Sequence, residues 1–107
     1  MERHAAVIRL RAEHADEYLR LHRDVWPTVL DRLRESNMRN FSIFLRDSVL
    51  FSYLEYTGDD YAADTAAIAA DPETKRWWTF TDPCQQPVDS AAEGEWWAPL
   101  EEVFHTD

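Results

Sequence analysis

The sequence predicts an α+β fold with the ferredoxin-like order β-α-β-β-α-β, and three observations carry that prediction. A run with strand periodicity opens the chain, two β-rich runs in its middle are separated only by a short polar turn, and helical patterns follow both the first strand and that hairpin. At 107 residues the chain has room for one domain, residues 1–107, around one core.

Each element has its own signature. Ala6, Ile8 and Leu10 recur at every second residue, as in a half-buried strand. From about Ala12 to Asn37 the spacing becomes helical, with Tyr18, Leu21, Val25, Val29, Leu30 and Leu33 at steps of three and four. Pro27 interrupts that stretch. A missing N–H and a ring that clashes with the preceding turn predict two helical segments in tandem. Phe41-Ser42-Ile43-Phe44-Leu45 and Val49-Leu50-Phe51-Ser52-Tyr53-Leu54, joined across Arg46-Asp47-Ser48, predict the hairpin. Alanines between Asp59 and Ala70 suit a helix packed closely on a sheet. Asp71-Pro72-Glu73 then supplies an N-cap, a proline at the first helical position and an acidic first turn for a short helix carrying Trp77 and Trp78. Residues from about Pro83 to Gly94 predict an irregular loop, and Trp97 to His105 a last strand around Val103 and Phe104.

The hairpin is apolar in both alternating sets, and in this fold both helical units cover the same side of the sheet. The second face therefore needs a cover, and a symmetric homodimer with sheets packed face to face supplies one. Leaving several large side chains wet forgoes roughly 1.5–3 kcal/mol each.

Composition narrows the classes of partner. Hydrophobic residues at 45% and charged ones at 30% describe a chain that folds. A net charge of −10, from 21 acidic against 11 basic side chains, repels a phosphate backbone and excludes nucleic acid. Cys84 is the only cysteine, so neither an internal disulfide nor a cysteine-rich metal site is available. No segment reads as an apolar leader or reaches the roughly 18 apolar residues of a membrane span, which predicts a cytoplasmic protein without membrane contact.

Two local patterns suggest chemistry. In Tyr18-x3-His22-x3-Trp26-Pro27, steps of four place a titratable ring between two aromatics on one helical face. Histidines on helices are ordinarily structural, and His4, His14 and His105 draw the same judgement. The second pattern is paired tryptophan, Trp77-Trp78 and Trp96-Trp97, which with Trp26 makes five. Core filling is the plain explanation. Adjacent helical residues nevertheless point about 100° apart, so one member of a pair is expected outside the core. An indole face with an N–H at its edge suits a sugar ring. No HExxH, glycine-rich phosphate loop or GxSxG is present, leaving metal, nucleotide and acyl-enzyme chemistry without support.

Four segments in order, Tyr18-x3-His22-x3-Trp26-Pro27, Asn40-Phe41-Ser42-Ile43-Phe44, Arg76-Trp77-Trp78 and Leu100-Glu101-Glu102-Val103-Phe104, resemble the L-rhamnose mutarotase family over about residues 3 to 106. The resemblance implies a dimeric α+β barrel that holds a monosaccharide between helix and sheet without cofactor or metal. It makes His22 the proton donor and puts Tyr18, Trp77 and Trp78 against the sugar. It also implies a substrate-contacting tyrosine where this chain has Phe41, so that site position lacks its hydroxyl. Because a hydrogen bond to the sugar is lost there, L-fucose, also a 6-deoxyhexose, stands beside L-rhamnose as substrate. A cofactor-independent monooxygenase or haem-binding barrel and a non-catalytic sugar-binding module are the competing classes, since fold does not fix function.

Overall fold

A computed structural model describes residues Met1–Asp107. Strand β1 (Glu2–Leu10) leads through a short 3-10 turn (Ala12–His14) into α1 (Ala15–His22) and α2 (Pro27–Glu35). The hairpin β2 (Met38–Arg46) and β3 (Val49–Tyr56) follows, then α3 (Tyr61–Ala70) and α4 (Pro72–Thr81). A second 3-10 turn (Asp82–Cys84) delivers β4 (Gln85–Gln86), and β5 (Ala98–Leu100) comes last. The sheet order is β2-β3-β1-β4, with β5 also on β1, which is the antiparallel ferredoxin-like arrangement the sequence predicts.

Pro27 restarts the helix as its first residue, where its missing N–H costs no hydrogen bond. Asp71 caps α4 as expected, its carboxylate accepting from the Thr74 N–H at 2.8 Å and from the Thr74 hydroxyl at 2.9 Å. At the hairpin tip, Asp47 and Ser48 both have left-handed backbone angles, φ 51° and 63°, as a two-residue turn of type I′ requires.

One expectation is corrected. The last strand falls within the expected Trp97 to His105 but occupies Ala98–Leu100, and Val103 and Phe104 belong to a solvent-exposed tail. The edge of β1 is shared by two short pieces, β4 at Arg9 and Leu10 and β5 at Ala5 to Val7. The register that pairs Ala5 with Leu100 would bring Val103 only to Glu2, the first residue of β1, so a strand centred on Val103 and Phe104 has no partner backbone; the tail is instead tied to β1 by Glu102 accepting from Arg3 at 2.7 Å.

The core lies between the sheet and the helices. Ile8, Leu10 and Leu50 pack with Tyr18 and Cys84, while Met38 and Tyr56 pack with Ile68. Tyr56 is fully buried. Its hydroxyl donates to Asp64 at 2.5 Å and accepts the Asp60 N–H at 2.8 Å, anchoring α3 to the sheet. Gly58 makes this possible, because a Cβ there would land on the Tyr56 hydroxyl. The opposite face carries Phe44, Phe51 and Leu100, all exposed. No helix is long and apolar enough to cross a membrane.

Candidate active site

Helix α1 is short, and its last two turns are aromatic. Tyr18 and His22 stand one turn apart with ring centroids 4.2 Å from each other. The edge of the His22 ring meets Trp77 of α4 at 5.5 Å, and Trp77 in turn meets Trp26 at 5.2 Å. Arg76 lies over the Trp26 ring at 4.5 Å, closing the outside of this cluster.

His22 is half-buried, and one of its nitrogens is spoken for. Nδ1 is 2.8 Å from the backbone carbonyl of Tyr18, which can only accept, so Nδ1 carries a proton. In the neutral ring Nε2 is then the bare acceptor. Burial holds the imidazole below its ordinary value near 6.5, against the opposing pull of the Tyr18 carbonyl. The resting ring is neutral at pH 7.

Tyr18 is almost wholly buried, and burial pushes its phenol up to about 12. It keeps its proton throughout the physiological range. Its oxygen accepts from Gln85 Nε2 at 3.1 Å, and the Gln85 Oε1 accepts from the Trp96 indole at 2.9 Å. Gln85 also lines an open cleft of about 710 Å³ walled by Trp78 and Trp96, with Lys75, Asp82 and His14 on its rim.

The tryptophan pair divides as helical geometry demands. Trp77 is buried with Leu21 and Val29, 5% exposed, whereas Trp78 at 37% turns into the cleft. Phe41 stands apart from these rings, on β2. Its place depends on a bulge: Arg39 pairs with Glu55 but Ser42 with Tyr53, so β2 takes three steps where β3 takes two. Asn40, at φ 50°, absorbs the extra residue and turns Phe41 onto the side of the sheet that faces the helices. There it is 42% exposed, unlike Ile8 and Leu50 on the same side. The helices leave the edge strand open.

The structure thus brings Tyr18, His22 and Trp77 into one cluster, places Trp78 in the neighbouring cleft, which none of those three lines and which meets the cluster only through the Gln85 bond to Tyr18, and leaves Phe41 apart on the edge strand. Gln85 is the residue that the sequence does not mark, whereas Trp96 is marked there only as one of a tryptophan pair. In a loop that also holds Gln86, Asp89, Ser90 and Glu93, nothing singles Gln85 out as the acceptor for the Trp96 indole N–H. No group of histidine, cysteine and carboxylate side chains is arranged to hold a metal ion.

The family model of L-rhamnose mutarotase matches residues 3–106. The chain belongs to the L-rhamnose mutarotase family. An L-rhamnose mutarotase of Opitutus terrae is 36% identical over the whole of both chains, and one of Oceanobacillus iheyensis is 28% identical over the same extent. The crystal structure of L-rhamnose mutarotase from Formosa agariphila superposes with a TM-score of 0.77 at 25% identity, covering both chains completely. Tetracenomycin F2 cyclase from Streptomyces glaucescens, TM-score 0.67 at 14% identity over both whole chains, shares the fold alone. These family members are named for L-rhamnose, so L-fucose is not favoured as the sugar. As a member of this family the chain is a carbohydrate mutarotase, interconverting anomers.

Proposed function

We propose that the chain equilibrates the α and β anomers of L-rhamnose with His22 as a proton shuttle, and the observation that carries this is the tethered imidazole. Nδ1 is tied to the Tyr18 carbonyl and Nε2 is left as the working atom. Ring opening requires the anomeric hydroxyl to lose a proton as the bond from C1 to the ring oxygen breaks and that oxygen gains one. Neutral Nε2 takes the proton from the anomeric oxygen; the imidazolium then hands it to the ring oxygen, which makes His22 the donor the family resemblance implies. Rotation of the aldehyde and the reverse transfers close the other anomer. No net proton, electron or metal is consumed.

Tyr18, protonated at any working pH, serves as a hydrogen-bond donor that orients a sugar hydroxyl. Trp78 offers an open indole face for the C–H side of the pyranose, and Phe41 provides an apolar wall from the sheet. Trp77 backs the imidazole. A positioned acid–base group contributes about 10²–10⁴-fold, and orientation supplies more. We further propose a homodimer in the cytoplasm, the exposed Phe44, Phe51 and Leu100 face being covered by a second copy.

Saturation transfer between the anomeric proton resonances of L-rhamnose tests the activity, with L-fucose measured alongside. Exchange accelerated for L-rhamnose, and more than for L-fucose, is expected. Sugar binding with exchange at the background rate would instead identify a binding module.

A further inference from the structure

Gln85 is 4% exposed, and its side-chain amide sits between two partners of unequal freedom. Trp96 Nε1–H can only donate, so the Gln85 atom 2.9 Å from it must be the carbonyl oxygen. That fixes the amide against flipping, and its NH₂ group is left facing the Tyr18 hydroxyl at 3.1 Å. Tyr18 oxygen is therefore an acceptor toward Gln85. Its own proton must point elsewhere, and no protein acceptor takes it. A hydroxyl buried to this depth with an unclaimed proton is a donor waiting for a ligand.

We propose that Trp96 and Gln85 are positioning residues for the reaction: through a chain of two directed hydrogen bonds they aim the Tyr18 proton at a hydroxyl of the bound sugar. This rests on the reading in which Tyr18 meets the sugar. It also gives the loop residue Trp96 a second task beside walling the cleft, since an indole N–H sets the polarity of the chain and a phenyl ring would not.

Gln85→Glu tests the proposal with little change of shape. The introduced carboxylate still accepts from Trp96, but it also draws the Tyr18 proton to itself and away from the sugar. KM for L-rhamnose should rise about 2- to 10-fold, the worth of one net hydrogen bond, with kcat less affected. Relative to wild type at each pH, that rise should vanish as the introduced carboxyl is protonated and can donate as the amide does. It should also be absent in a Tyr18→Phe background. An unchanged KM, or the same rise with and without the Tyr18 hydroxyl, would overturn the proposal. A readout without sugar separates it from the mutarotase reading: the Trp96 indole proton in a ¹⁵N-correlated spectrum. It should shift upfield in Gln85→Met and move measurably in Tyr18→Phe. If wild type leaves the anomers at the background rate, the mutarotase reading fails by itself; an indole resonance unmoved in both variants removes the chain.

Discussion

The imidazole of His22 is tuned by two opposed influences, burial and a carbonyl, with burial the larger. The sign of the resulting pH dependence follows. Catalysis that begins with neutral Nε2 should be level above pH 6.5 and fall as the pH drops through the His22 value, which lies below 6.5. A pH series of kcat/KM checks it; activity that instead rose on acidification would make the imidazolium the resting catalyst. Stability has a matching term. In the unfolded chain the ring titrates near 6.5, so below that pH the unfolded state binds more protons and folding weakens, levelling off once the folded value is passed. Denaturant unfolding of wild type and His22→Gln, compared between pH 7 and 5, should show a smaller loss in the variant.

The tryptophans separate on the same scale. Trp77→Ala empties a buried site among Leu21 and Val29 and should cost about 3–5 kcal/mol of stability. Trp78→Ala should leave the unfolding midpoint nearly unchanged and weaken sugar binding in calorimetry. The sequence pair alone shows that one ring of the two leaves the core. Which ring leaves depends on how α4 is rotated against α2, a long-range fact. Gln85 was illegible for a similar reason: a glutamine in a polar loop carries no pattern, and only the fold brings it between Tyr18 and Trp96, 67 and 11 residues away in sequence.

Among the elements, periodicity and turn chemistry located α1, α2, the hairpin and the capped α4. What they missed is instructive. Val103 and Phe104 have strand-like side chains, but the register that pairs Ala5 with Leu100 carries them to the very start of β1, where no partner backbone remains for a strand centred on them. Tertiary pairing outweighed local preference. The bulge at Asn40 was equally hidden, since it arises from register and not from composition. Its left-handed angle favours asparagine, and its side chain donates to Glu55 at 2.6 Å. Asn40→Val should therefore cost about 1–2 kcal/mol and, by disturbing the step that turns Phe41 inward, raise KM as well. Asn40→Gly should keep the bulge and restore most of the stability. Equal unfolding midpoints for wild type and Asn40→Val would refute the strain argument.

For the whole molecule, the helices cover one side of the sheet and leave the other apolar and wet, as the doubly apolar hairpin anticipated. Phe44 is 62% exposed and Phe104 in the tail 78%. Sedimentation equilibrium at micromolar concentration should give twice the 12.6 kDa chain mass, and Phe44→Glu should shift it toward one chain. A wild type that sediments as a monomer would count against the dimer, and the proposed site residues all lie in one chain, so exchange activity would be judged separately.

The most direct test of the shuttle is saturation transfer on the anomeric protons of L-rhamnose with His22→Ala beside wild type. Circular dichroism and thermal unfolding would establish that the variant is folded. A folded variant whose anomer exchange is lower by about 10²-fold or more is the predicted result. A folded variant that exchanges the anomers as fast as wild type would contradict it.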